Sequence, residues 1–382
     1  MQFQKQRQVV EQVVVQRHQH VDHRHAVVHA KVSNILKIMK GIQMKDIRIY
    51  NYKKSKDHYI IRLLREYTKG IGAYYIARSW EHGPHIVVTF SETVPLEEIL
   101  VLKNNIQQQI DQISIDPEQY EEIKSKYQKS LETIALLEKK EASNVLKEHG
   151  TVEIQENKFV YYNQELTNVI HQARIQLQPI LEETYLYLYE NEIKPEVMYP
   201  ALFHAVSECY KVDGTNKGYF SFISHVQGFL ELSKNQSLKY TESGFEMFFE
   251  KNISEVQTFA NEHQDFIARW QREWQLIFES YADRIIENID KQYLKDLETT
   301  FSELEGKFKN DFHSKFAMYA KNTNFASNQN ATVYRFLINI LYLSFPFLKI
   351  SALKKQLFIY MAYRFTETTY NINWRKEISL EI

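Results

Sequence analysis

The sequence is poor in the residues that mark several common architectures. A single cysteine, Cys209, excludes an intramolecular disulfide framework and any zinc site built on several cysteines. Ten glycines and seven prolines in 382 residues leave few tight turns, which favours long helices over many short strands. Charge of neither sign is in excess: 47 Lys and Arg face 48 Asp and Glu, a formal net charge of −1. That balance removes the electrostatic argument for a nucleic-acid partner. No apolar run approaches the roughly 20 residues that span a bilayer, and no signal-peptide pattern opens the chain. A cytoplasmic protein with no membrane partner is therefore expected. GxxxxGK[ST], GxGxxG after a strand, HExxH and GxSxG are all missing, so the usual carriers of phosphate, dinucleotide, zinc-protease and serine-hydrolase chemistry are not here. No cofactor and no metal are expected.

What is present is an ordinary globular composition, 44% hydrophobic and 25% charged. Aromatics reach 14%, with 25 Tyr and 23 Phe, enough for a ring-filled core or an aromatic-lined groove for a peptide or heterocyclic substrate. Residues 1–43 differ from the rest, with Gln, Val and His recurring and almost no aromatics. They read as a disordered tail or an overextended reading frame, with Met39 and Met44 as alternative starts. His18, His20, His23 and His25 have only Asp22 as a nearby acid, which is poor metal-site chemistry.

From Lys45 onward the pattern is regular. DIRIYNY alternates as a strand, Asp57–Tyr67 puts Ile60, Leu63, Leu64 and Tyr67 on one helical stripe, and AYYIARSW and HIVVTF follow as two strands around the turn EHGP. Strand–helix–strand–strand is half of a ferredoxin-like unit. Helices are expected near Leu96–Ile113 and Glu118–Lys147, then a short hairpin from TVEIQ and KFVYY. Beyond it the helical spans are Glu165–Glu190, Pro195–Val212, Phe220–Lys234, Glu242–Asn288, Lys291–Asn322 and Ala331–Thr369. The expected fold class is α+β: a small ferredoxin-like sheet unit over about 44–92 and a large, mostly helical remainder over 93–375, forming a single body. Cys209, inside an apolar helical pattern, reads as a core residue. His82 and His85 flank a turn with Glu81 as the only adjacent acid, too few groups for a metal.

Three segments carry a resemblance. Tyr74–Phe90, YYIARSWEHGPHIVVTF, resembles the opening motif of the thiopeptide-type bacteriocin biosynthesis domain, which is also the C-terminal elimination domain of class I lantibiotic dehydratases. Arg78, Trp80, Gly83, Pro84 and His85 match its pattern. Gly218–Leu230, GYFSFISHVQGFL, is similar to the family's aromatic–Ser–His helix start, and Arg335–Glu367 is similar in layout to its closing pair of helices. Elimination domains of this kind remove glutamate from glutamylated Ser/Thr, using Arg at alternating positions of the strand after Gly-Pro-His and a His on the closing helix. Here those strand positions hold Val87 and Thr89, and no His occurs in Lys355–Glu367, where Tyr360 stands nearest.

The departures point to another branch of the same family, the thiopeptide pyridine synthases. Resemblance to that branch implies a ribosomally made precursor peptide, a leader followed by a core bearing azoles and two dehydroalanines. A formal [4+2] cycloaddition closes the macrocycle, and loss of water and of the leader as a carboxamide aromatises the ring. Such chemistry asks for a peptide-folding cavity and neutral proton donors. The residues the resemblance puts forward as catalytic are Arg78, His85, Ser224, His225 and Tyr360, with Trp80, Tyr219, Phe222 and Arg364 as substrate contacts. Their structural alternatives are an ion pair for Arg78, turn ordering for His85, N-capping for Ser224 and His225, core packing for Tyr360, and an i,i+3 pair between Arg364 and Glu367. Three other readings stay open: a stand-alone glutamate-elimination component, a non-catalytic leader-binding scaffold, and an unrelated helical binding module. Long amphipathic helices and an open sheet edge are compatible with a homodimer.

Overall fold

The structure, a computed structural model, describes residues 44–137, 145–235, 239–290, 292–295, 311–322 and 328–380. The tail reading of 1–43 and its histidines lies outside these residues. Four strands form one antiparallel sheet: β1 (Lys45–Tyr50), β2 (Tyr74–Ser79), β3 (His85–Phe90) and β4 (Val152–Glu156), in spatial order β2-β3-β1-β4. Helix α1 (Asp57–Tyr67) connects β1 to β2, and α2 (Leu96–Ile110) with α3 (Pro117–Leu137) lies between β3 and β4.

Strict alternation gives the sheet two unlike faces. Ile47, Ile49, Ile76, Ile86, Val88 and Phe90 point one way and are buried with Ile60, Leu64, Leu102 and Ile106 of α1 and α2. Asp46, Arg48, Tyr75, His85, Val87 and Thr89 share the other face through the strand register. The β2 edge is covered by the long helix α4 (Gln164–Glu190): the Ile76 amide donates to Gln178 Oε1 at 2.8 Å and the Tyr74 hydroxyl to Glu182 at 3.0 Å. Asn163 starts α4 by accepting the Leu166 amide, an N-cap of about 1 kcal/mol.

The remainder is helical: α5 (Pro195–Ser207), α6 (Tyr219–Asn235), α7 (Glu242–Glu262), α8 (Gln264–Asn288), α9 (Asp311–Asn322), α10 (Gln329–Ser344), α11 (Ala352–Tyr370) and α12 (Trp374–Leu380). A two-residue ribbon, Lys211–Val212 with Thr215–Asn216, sits between α5 and α6. Helix α11 packs on α5 and α6, and α10 on α8 and α4. Trp270, Trp274, Phe203, Phe336 and Tyr363 are fully or almost fully buried, so many of the rings fill the core. Burying each is worth about 2–3 kcal/mol. Lys217 and Tyr219 both reach Glu377, and Ile378 is fully buried, so packing continues past residue 375.

Several expected spans change. TVEIQ supplies β4, yet it pairs with β1 rather than with KFVYY, which is not a strand. Residues 145–148 are extended, so helix does not reach Lys147; Lys147 instead pairs with Glu153. The span Glu242–Asn288 breaks at His263, whose Nδ1 meets the Tyr187 hydroxyl at 2.9 Å. Ala331–Thr369 divides into α10 and α11, because Pro346 lacks the amide a continuing helix needs and Lys349 turns left-handed at φ 58°. Pro195–Val212 stops at Ser207, leaving Cys209 just past the helix, buried, its thiol pushed up to about 12 by desolvation.

Candidate active site

The strand motif folds as a structural unit. Arg78 projects onto the apolar side of the sheet and forms a 2.9 Å ion pair with Asp57 at the start of α1. Asp57 also receives Asn51 at 2.7 Å and Lys349 at 3.1 Å, which ties the sheet to the α10–α11 connection. Gly83 has φ +122°, and a Cβ there would stand 2.5 Å from the Tyr52 hydroxyl, so the Gly-Pro turn tolerates only glycine. His85 is buried, spends Nδ1 on the Gly83 carbonyl at 2.9 Å and packs against the Tyr50 ring, tilted at 31° with the ring centres 4.5 Å apart. Desolvation holds its pKa at about 4. The Trp80 carbonyl accepts the Tyr127 hydroxyl at 2.9 Å, linking the turn to α3.

Tyr360 and Arg364 belong to a second network. The Tyr360 hydroxyl donates to Glu246, Arg364 grips Glu246 through Nε and Nη2 at 2.9 and 2.8 Å, and Arg364 also meets Glu367. Glu367 in turn accepts the Trp374 amide at 2.8 Å, so this network fastens α7 and α12 to α11. Tyr219 and Phe222 are fully buried. Neither Tyr360, Arg364, Tyr219 nor Phe222 meets Ser224 or His225 through a hydrogen bond or ring contact.

Ser224 and His225 are not N-caps. They lie in the second turn of α6, on a partly open face with Ser221 and Gly228. Opposite them, from Ala331 onward, α10 is buried except at Arg335, Asn339, Tyr342 and Leu343. The first three repeat at i, i+4 and i+7, one stripe of the helix. Side chains of the two helices and of α11 meet on this partly open face: the His225 ring stands edge-on to Tyr342 at 4.5 Å, and the Lys355 ammonium, from the first turn of α11, lies 3.6 Å from the centre of the Tyr342 ring. Ser224 Oγ faces His313 Nε2 of α9 at 3.3 Å. Farther along the stripe, Asn339 donates to the Tyr161 hydroxyl at 3.3 Å, and Tyr161 stands 3.4 Å from Tyr293.

The electrostatics are those of a desolvated site. His225 is exposed, yet the surrounding protein pushes its pKa down to about 3 through desolvation first, with Lys355 and His313 adding to it. Lys355 is pushed down to about 8 by desolvation, and His313 to about 4 by the same cause. Burial holds the Tyr342 phenol well above its usual value, and its hydroxyl is buried with no hydrogen-bond partner among the described residues. Near neutral pH the cluster thus offers neutral imidazoles, a protonated phenol and one lysine close to its own pKa. Such a set can accept and donate protons without fixed negative charge.

The resemblance put arginines at Val87 and Thr89; on that face Thr89 donates to Asp46 Oδ1 at 2.8 Å and Asn157 to the same oxygen at 2.9 Å. Burial raises the Asp46 pKa. Arg48, cross-strand from Val87, is drawn toward Asp46 at 3.6 Å. Sequence reasoning missed Lys355, Tyr342 and His313. Lys355 lies at the edge of the segment searched for a histidine, and the stripe Arg335–Asn339–Tyr342 is the signal that could have found the cluster.

The fold is thus a mostly helical α+β body with a small antiparallel sheet and a cluster of His225, Tyr342 and Lys355 between helices. No protein-family model matches the sequence, and no curated protein does. Among solved structures the chain is similar to "Pyridine synthase, TbtD, from thiomuracin biosynthesis", with a TM-score of 0.53 at 15% identity over 87% of this chain and 100% of that one. TsrL matches at TM-score 0.48 and 13% identity, over 88% of this chain and 97% of that one. The tRNA-dependent lantibiotic dehydratase MibB from Microbispora sp. 107891 matches at 0.38 and 8%, over 86% of this chain and 28% of that one. The suspected resemblance is met by the pyridine synthase from thiomuracin biosynthesis. At these identities the likeness is one of fold.

Proposed function

We propose that this chain is a cytoplasmic peptide-modifying enzyme that forms the pyridine-type ring and macrocycle of a thiopeptide. Its substrate is a ribosomally made precursor whose core carries azoles and two dehydroalanines. One dehydroalanine and a neighbouring amide, as its iminol tautomer, form an azadiene; the second dehydroalanine adds across it. Water leaves, and the leader departs as a carboxamide. The ferredoxin-like reading of the sheet goes with this proposal and is supported by the strand order β2-β3-β1-β4 with a helix between β1 and β2.

The observation that carries the reading is the His225–Tyr342–Lys355 cluster. Iminol formation moves the amide proton from nitrogen to oxygen, and loss of water and of the leader carboxamide each takes a proton from the ring and protonates the departing oxygen or nitrogen; these barriers fall when a positioned acid or base has a pKa near the working pH. Lys355 at about 8 meets that condition, His225 at about 3 stays an unprotonated acceptor, and the Tyr342 phenol stays protonated. Ser224 and His313 flank the same cluster. In this assignment Lys355 and His225 relay the amide proton, and the Tyr342 ring positions both, His225 edge-on to it and the Lys355 ammonium over its face. Arg78, His85, Tyr360 and Arg364 hold the fold around it.

The test is mass spectrometry of the pure protein with two azole-containing precursors, one with dehydroalanines already formed and one with glutamylated serines. Release of a leader carboxamide and a smaller aromatic macrocycle from the first, lost in Lys355→Met and His225→Ala, is expected. Glutamate release from the second alone refutes ring formation in favour of elimination. Leader binding with neither peptide changed refutes catalysis altogether.

A further inference from the structure

The Gly-Pro turn of the strand motif has an outer side that the proposed chemistry does not use. Helix α3 lies across it, fastened by tyrosines. The Tyr127 hydroxyl donates to the Trp80 carbonyl at 2.9 Å, and the Tyr120 hydroxyl donates to Glu148 at 2.6 Å. Both rings stand edge-on to the buried ring of Tyr52, at 6.2 and 5.3 Å. Beside these ties a groove of about 470 Å3 stays open between α3 and the chain at 52–55. Pro84, Ile115, Ile123 and Tyr127 line it, the last three of them only half-buried. Gln119, Ile123, Lys126 and Ser130 recur at i, i+4, i+7 and i+11, so one stripe of α3 faces the groove along about 16 Å. Such a floor rewards apolar side chains that leave water to fill it.

The lining carries charge of one sign. Lys53, Lys54 and Lys126 border the groove, and no Asp or Glu does. Their own ties are weak. Lys53 reaches the Ser114 carbonyl at 2.8 Å in an exposed contact, and Lys126 pairs with Glu122 one turn back on α3, both well exposed. The Lys54 side chain makes no ion pair or hydrogen bond among the described residues. An apolar floor under a lysine rim matches an acidic peptide with bulky apolar side chains, whose carboxylates meet the ammoniums while the apolar groups fill the groove. At about 3.3 Å per residue, roughly five extended residues cover it. A nucleic acid matches less well: three lysines on a chain of net charge −1 make a small field, and buried Tyr52 gives no stacking platform. Residues 1–43 of the same chain match less well too, since their only acids are Glu11 and Asp22 among more numerous Lys and Arg.

We propose that the groove between α3 and the chain at 52–55 is a docking site for a short acidic peptide segment with bulky apolar side chains. This goes beyond the ring-forming reading and does not depend on it, because it concerns binding alone.

Calorimetry on the full chain tests it with three capped peptides of about six residues: alternating glutamate and leucine, alternating lysine and leucine, and alternating glutamate and serine. The first is expected to bind, more weakly as salt rises, and the other two are not. Lys54→Glu combined with Lys126→Gln should weaken that binding at least about tenfold. The melting temperature should stay close to that of the wild type, since both side chains are exposed. Ile123→Gln should weaken binding by a similar factor while leaving its salt dependence in place. Failure of the first peptide to bind, equal binding of the lysine peptide, or binding unchanged in the double variant would each overturn the assignment. Equal binding of the glutamate–serine peptide, or displacement of the first peptide by single-stranded oligoadenylate, would make this a patch for any polyanion and overturn the groove's part in it. Self-association in sedimentation that the double variant abolishes would give the face to a second copy of the chain instead. Turnover enters none of these readouts, so failure here leaves the catalytic proposal to its own test.

Discussion

Replacing Lys355 by methionine should stabilise the protein near neutral pH while abolishing turnover. A lysine held at about 8 rather than its ordinary 10.5 is disfavoured in its charged form, by about 3 kcal/mol at face value. The side chain is only partly buried, and solvent screening discounts the figure to roughly 1–2 kcal/mol. Methionine keeps the stem and a sulfur contact with the Tyr342 ring, so the packing loss is small. The pH dependence is specific. Below pH 8 the lysine is charged in both folded and unfolded chains, and the folded state carries the whole penalty. Between about 8 and 10.5 the unfolded chain binds the extra proton, so the wild type gains stability relative to Lys355→Met as pH rises. Urea denaturation of both proteins at pH 7, 8.5 and 10 reads this directly. A methionine variant less stable at pH 7, or a difference that does not change with pH, would refute the placement of Lys355 in a desolvated cluster.

Acid should destabilise the chain early: burial holds His85, His171 and His313 at about 4 against an ordinary 6.5. The unfolded chain takes up their protons first, so stability falls as pH drops from about 6.5 toward 4. Each histidine is worth up to about 3 kcal/mol, and a urea midpoint flat over that range would contradict their burial. Gly83→Ala should cost about 2 kcal/mol or more, from a positive φ and a Cβ forced against the Tyr52 hydroxyl, read as a lowered denaturation midpoint. Tyr360→Phe should lower stability by about 1 kcal/mol, by removing the hydrogen bond to Glu246, while kcat per folded molecule stays unchanged. A large kcat loss in Tyr360→Phe would move the active site to the Glu246 network.

The sheet was legible because its signals are local. Alternation in β1 and β3 and the stripe in Asp57–Tyr67 arise from the side-chain periods of strand and helix, and they hold whatever packs against them. Errors fell where the deciding contact lies far away in sequence. TVEIQ was expected to pair with its neighbour KFVYY, yet β1, a hundred residues upstream, offers a longer edge with opposed Lys45 and Glu156. Nothing in the sequence near His263 breaks a helix; Tyr187 of another helix holds it out. Pro346 was visible, and reading through it joined two helices that the steric rule separates.

Site residues were harder, because a motif names positions and not the side of the fold they serve. Arg78 is a lone cation in an apolar strand, which fits a substrate clamp and an ion pair equally until Asp57 is seen beneath it. On α11 the search for a histidine substitute settled on Tyr360, five residues from Lys355 and so about 140° around the helix. Tyr360 therefore faces α7 and Lys355 faces Tyr342. Choosing between them needed the partner helix, and α10 had already marked it: after its exposed first two residues, on a stretch otherwise buried but for Leu343, polar Arg335, Asn339 and Tyr342 recur on one line. A buried helix keeps such a line only where a partner satisfies it or where solvent and substrate reach it. The Tyr342 hydroxyl is buried and finds no partner among the described residues, so its place on that line is set by its ring, which meets His225 and Lys355.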